Sequence, residues 1–89
     1  MTDRLDIDTA SVFDNLDERQ VEFAGEVDGE LIRFAVRHDL LEALSGTRPD
    51  GDAVALFTRH ADPIADAALA ALGRDRGVEL VVVSENDLA

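Results

Sequence analysis

The chain has 89 residues, of which 20 are acidic and 8 basic, and its formal net charge is −12. That length fits one domain with one core. The absence of cysteine removes disulfides, thiolate metal sites and a Cys nucleophile, and the charge opposes binding to nucleic acid or to anionic membranes. Every basic residue is Arg, so the lack of Lys also excludes a P-loop and a Lys Schiff base.

Residues 1–89 therefore read as a single domain. The start, Met1-Thr2-Asp3-Arg4, has neither the basic opening nor the apolar run of a signal peptide. No apolar stretch approaches the roughly 20 residues of a membrane span, and the expected setting is cytoplasmic. Residues 1–12 read as a mobile or edge segment. Thr9-Ala10-Ser11 and Asp14-Asn15 are turn-forming, and a short helical turn is expected near 10–16, with Phe13 and Leu16 tucked onto the core.

Residues 20–37 carry the clearest pattern. Val21, Phe23, Gly25 and Val27 alternate with Glu22, Ala24 and Glu26, which is strand period. Asp28-Gly29 follows, and a type I′ turn needs positive φ at both of its central positions. A two-residue turn pairs Val27 with Glu30, Gly25 with Ile32, Phe23 with Phe34 and Val21 with Val36. The alternation selects the same register, since a one-residue slip would turn the apolar set outward. Glu22, Glu26, Arg33 and Arg37 fall on the outer side, as exposed pairs contributing about 0–1 kcal/mol each.

Asp39-Leu40-Leu41-Glu42 has capping-box spacing, with Asp39 as cap, Leu40, Leu41 and Leu44 as the apolar side and Gly46 at the left-handed C-terminal position. Residues 47–52 form a loop in which Asp50 or Asp52 caps a helix over 53–61. Asp62-Pro63 interrupts that helix, because Pro lacks an amide hydrogen. Residues 63–75 are then a second helix or the far side of a kink, ended by Gly73 or Gly77. Val78-Glu79-Leu80-Val81-Val82-Val83-Ser84 is a third strand with two apolar faces. Residues 85–89 are an acidic tail.

These elements give an α+β fold: a two-layer β-β-α-α-β arrangement with a three-stranded, mainly antiparallel sheet and helices on one face. The third strand is placed beside the first, in order 2-1-3. The expected core is Val21, Phe23, Ile32, Phe34, Val36, Leu41, Leu44, Leu56, Phe57, Ile64, Ala68, Leu72, Leu80 and Val82.

Val21-x-Phe23, the return strand, the short helix ending in Leu44, Phe57-x-x-His60-x-x-x-Ile64, the Val-rich strand and the late Asp87 form an ordered pattern. In that pattern, over roughly residues 13–88, the chain resembles the domain-of-unknown-function family numbered 1488, short proteins mostly from proteobacteria. The chain departs from it at Ala61, where the family often has a basic residue, and at Pro63. The resemblance implies the two-layer fold above and no activity.

No constellation for chemistry emerges. His38 and His60 each have an acid close in sequence, Asp39 and Asp62. A zinc site would need three or four ligands converging in space, and both histidines read as structural. Asp6/Asp8, Asp14/Asp17 and Asp50/Asp52 read as caps and solvated acids, and Asp50-Gly51-Asp52 lacks the remaining ligands of a calcium loop. Ser11, Ser45 and Ser84 lack a nucleophile-elbow context. No catalytic, cofactor-binding or metal residue is assigned, and no cofactor is expected.

The leading expectation is a non-catalytic accessory or protein-interaction module. Its partner is a second copy, through a sheet edge or the outer side of Val81 and Val83, or another protein; nucleic acid and membrane are not expected. One alternative is an acidic mimic of nucleic acid that blocks a basic partner. The other is a small His/Asp-dependent enzyme, which requires His38 and His60 to share a pocket. The outer face of the hairpin reads as scaffold, with function at the edges, the 47–52 loop or the third strand.

Overall fold

In the computed structural model, residues 5–49, 51–74 and 77–87 are described. Expectations for residues 1–4, Asp50, residues 75–76 and the last two residues of the acidic tail lie outside them. The order is β1 (Asp6–Asn15), β2 (Gln20–Val27), β3 (Glu30–Arg37), α1 (His38–Ser45), α2 (Ala53–Arg59), α3 (Ala61–Arg74), β4 (Val81–Val83) and a 3₁₀ turn (Glu85–Asp87). The fold is α+β, with the helices on one side of the sheet. The sheet has four strands rather than three, in the order β1-β2-β3-β4, and it is mixed.

The β2–β3 hairpin has the expected register throughout, from Val27↔Glu30 to Val21↔Val36. Asp28 and Gly29 have φ of 54° and 82°, as a type I′ turn demands. Phe23 and Phe34 stack at 5.2 Å between ring centroids, and Phe57 of α2 tilts onto Phe23 at 4.8 Å. That aromatic trio anchors a core of Val21, Val36, Leu40, Leu41, Leu56, Ile64, Ala68 and Leu72.

The first correction is β1. Residues 6–15 form an edge strand antiparallel to β2: of the mobile-or-edge reading the edge alternative holds for the described residues, while no helical turn forms near 10–16. Leu5 and Ile7 supply its inward alternation, and Leu5 is buried. The turn-forming residues act locally, inside the strand. Between the pairs Asp8↔Ala24 and Phe13↔Glu22, four β1 residues stand opposite Phe23 alone. Within this bulge the Ala10 amide donates to Asp8 Oδ1 at 3.1 Å and the Ser11 hydroxyl donates to the Asp8 carbonyl at 2.6 Å. The Ser11 oxygen in turn accepts the Ala24 amide at 2.8 Å, so a side chain replaces a ladder acceptor. Beyond the bulge the parity places Phe13 on the outer face, where it and Leu16 are exposed instead of tucked onto the core.

The second correction is the last strand. β4 spans three residues and lies parallel to β3, not beside β2 as order 2-1-3 requires. The three helices form the crossover that a parallel pair needs. Its pairs Phe34↔Val81 and Val36↔Val83 turn Val81 and Val83 inward and Val82 outward. This reverses the expected parity: Val82 is exposed, Leu80 is half-buried, and the outward side is not that of Val81 and Val83. A strand apolar on both faces carries no alternation to fix its parity.

Helix ends also shift. α1 starts at His38 with Arg37 as cap residue, so Asp39 sits in the first turn, where its charge suits the helix dipole. Gly46 closes α1 as expected, its amide donating to the Glu42 carbonyl. The 53–75 segment is two helices. The break falls at His60, two residues before the Asp62-Pro63 pair, and the His60 carbonyl accepts the Ile64 amide. Pro63 thereby sits in the first turn of α3, where no intrahelical donor is required. Arg74 donates to Asp87 Oδ1 at 2.7 Å, and Asp87 Oδ2 accepts the Ser84 amide, so the late Asp fastens the C-terminal turn to α3.

Candidate functional site

The helices cover one face of the sheet and leave the other open. Outward residues form cross-strand rows set by the ladder: Asp8–Ala24–Arg33, Phe13–Glu22–Ala35–Val82 and Asn15–Gln20–Arg37. Phe13 is 46% exposed, Val82 39% and Leu31 66%, while Ala35 between them is fully shielded by its larger neighbours. The result is an apolar strip across the face.

Glu22 lies in the middle of that strip and is only 9% exposed. Its Oε2 accepts Asn15 Nδ2 at 2.7 Å and Gln20 Nε2 at 3.1 Å, and its Oε1 faces Arg33 Nη2 at 3.4 Å. The bonds from Asn15 and Gln20, with Arg33 beside them, hold the carboxyl below the usual carboxylate range, against the burial that would raise it. Glu22 is thus a fixed, ionised group on this face, not one of a set of solvated pairs. A shallow slot of about 440 Å³ opens beside it, lined by Glu22, Arg33, Glu79 and Leu80.

The edges offer less. β1 is broken by its bulge and β4 is three residues long, and both features blunt an edge against strand addition. An edge-paired dimer therefore has little ladder to extend.

A second crevice, of about 500 Å³, lies where the β1–β2 turn meets the start of α1 and the residues Arg48, Pro49 and Gly51. His38 Nε2 meets Asp14 Oδ1 at 2.7 Å there, with Arg19, Asp39, Glu42 and Arg48 around them. Arg19 holds a left-handed φ of 54°, and its carbonyl accepts the His38 amide. The partner of His38 is thus Asp14, 24 residues away, and not the adjacent Asp39. A carboxylate that orients an imidazole is half of a nucleophile–base arrangement, but among the described residues no hydroxyl or thiol lines this crevice. His60 does not line it either, and sits at the α2–α3 break. Among the described residues no group of three or more His, Asp or Glu side chains could hold a metal ion.

Asp17, Glu18, Glu26, Asp28, Glu30, Asp39, Glu42, Asp52, Asp62, Asp66 and Glu79 are exposed on turns, strands and helices alike. Among the described residues no single element collects them. No helix of the described residues is long and apolar enough to cross a membrane.

Asp14 and Phe13 escape sequence reasoning because β1 goes unrecognised as a strand, and Val82 because the parity of β4 is undetermined. The Leu5-Asp6-Ile7-Asp8 alternation was the available signal for β1.

Comparison with known proteins agrees with this architecture. The profile of a family described as "Protein of unknown function (DUF1488)" matches residues 11–82. A crystal structure of a protein of unknown function from that family, from Shewanella loihica PV-4, superposes with a TM-score of 0.73 at 16% identity. The match covers 93% of this chain and 94% of the other, and at that identity it shows a shared fold. None of the curated proteins matches the chain.

Proposed function

The chain belongs to the DUF1488 family, and from that premise we propose that it is a non-catalytic interaction module that binds another protein through the open face of its sheet. One observation carries this reading: Phe13 and Val82 stand exposed at the ends of one cross-strand row, on the face of the sheet that the helices leave open. Exposed apolar side chains at both ends of one cross-strand row, with Glu22 between them, mark a contact surface on a chain this rich in charge. The blunted edges and the lack of a nucleophile in the α1 crevice direct attention to the same face.

The test compares wild type with a Phe13→Ser, Val82→Asp double variant as immobilised bait in extract of the source organism, with bound proteins quantified and both baits checked for folding. The reading expects a defined protein retained about tenfold better by wild type, in line with the loss of central apolar anchors. Equal retention by the two baits ends it. Sedimentation alongside asks whether the occupant is a second copy, which the same substitutions would then dissociate.

A further inference from the structure

Resting on that reading, we infer that the open face takes a basic segment of its partner, with one Arg or Lys side chain seated in the slot between Glu22 and Glu79. The slot is about 440 Å³ and is lined by two carboxylates, one guanidinium and Leu80. A carboxylate accepts about four hydrogen bonds. Glu22 Oε2 takes two of them, but Oε1 has only the 3.4 Å contact to Arg33, among the described residues. Oε1 therefore has room for a further donor. The Arg33 side chain is 63% exposed, so it can yield its place to an incoming cation. Asn15 and Gln20 hold Glu22 rigid, which lowers the entropy cost of recruiting it.

Charge selects the same occupant. A second copy would carry the same net charge of −12 and be repelled, whereas a basic segment is attracted at long range. Size points the same way. Strands of ten, eight, eight and three residues, about 4.8 Å apart with a rise of about 3.3 Å per residue, present a face on the order of 400–500 Å². That is roughly half the 800 Å² or so each partner buries in a stable protein interface, and it suits an extended segment. In such a segment the cationic side chain enters the slot and its apolar neighbours rest on Phe13 and Val82.

The probe is a short synthetic peptide alternating Arg and Val, capped at both ends, titrated into ¹⁵N-labelled protein and followed by amide chemical shifts. Shifts are expected at Phe13, Glu22, Ala35 and Val82. Glu22→Gln and Glu79→Gln should each weaken binding about tenfold, as for removal of one member of a close charge pair. Glu18→Gln, which removes the same charge from the exposed β1–β2 turn, should change it less than about twofold. Equal weakening by Glu18→Gln and Glu22→Gln would reduce the attraction to bulk charge and overturn the seat, as would shifts confined to the helices. Glu79 is exposed, so its variant tests the seat even where Glu22→Gln unsettles the sheet. In the bait experiment, retention of the partner by both slot variants alongside its loss by the Phe13, Val82 variant would remove the cation seat and leave the docking face standing. Retention by all of them would remove the face itself.

Discussion

On the helix-covered side of the sheet, Val21, Phe34 and Val36 are completely withdrawn from water; on the other side Phe13, Leu31 and Val82 remain in contact with it. The two sides are made from the same strands and much the same residue types. Their difference lies in what covers them, and it separates stability from binding. The covered side is closed by α1, α2 and α3 and determines whether the chain folds. The open side is finished by a hydrogen-bonded Glu22 and a few apolar side chains, and it can change with little cost to the fold.

Substitutions on the two sides test that division directly. Phe34→Ala removes a fully buried ring stacked on Phe23 and should cost about 3–5 kcal/mol, a large share of the stability of a domain this small. Urea unfolding followed by circular dichroism should show it nearly or wholly unfolded. A loss below about 1 kcal/mol would mean that the covered side is not the organising core. Gly25→Ala is next. Gly25 faces inward, and a Cβ there would collide with the end of the Leu5 side chain. Leu5 can rotate away, so a cost of about 1–3 kcal/mol is expected, with the same unfolding assay as the check. A neutral result would show that the start of β1 does not pack as described.

Glu22 sharpens the comparison through pH. Its folded carboxyl titrates below its unfolded value, so its stabilising effect is present above the unfolded value of about 4.3 and is lost as pH falls through the folded one. The stability difference between wild type and Glu22→Gln should therefore be greatest near neutral pH and shrink below about pH 4. A difference that stays constant across that window would mean the carboxylate network does not form. The smallest effect belongs to Val82→Ser, which should shift stability by no more than about 0.5 kcal/mol. A loss as large as that of Gly25→Ala would mean that Val82 packs inward and that β4 has the opposite parity.

The hairpin was legible in full because three local rules converge on it: alternation, the positive-φ turn and paired aromatic positions. β1 was hidden because Thr9-Ala10-Ser11 is turn chemistry, and a sequence does not say whether a turn ends a strand or bulges it. The parity of β4 was hidden because Val81, Val82 and Val83 are chemically alike, and only pairing with Phe34, Ala35 and Val36 distinguishes them. The Asp14–His38 contact depends on β1 and was lost with it. The slot was hidden more deeply still. Glu22 appears among alternating charges as an ordinary wet residue, and Asn15 of β1 with Glu79 and Leu80 before β4 complete an enclosure that the hairpin's own Gln20 and Arg33 only begin.

The parallel pairing of β4 with β3 also has a consequence for the order of events during synthesis. β1, β2 and β3 follow one another in the chain and pair as a meander, so they can assemble as soon as they leave the ribosome. The partner of Phe34 is Val81, close to the C-terminus, and a contact so distant in sequence forms late. Until β4 has been made and released, the outer edge of β3 has no neighbouring strand. The nascent chain thus passes through a stage in which one edge of β3 is unprotected, and the speed with which the helices fold back over it sets how long that exposure lasts.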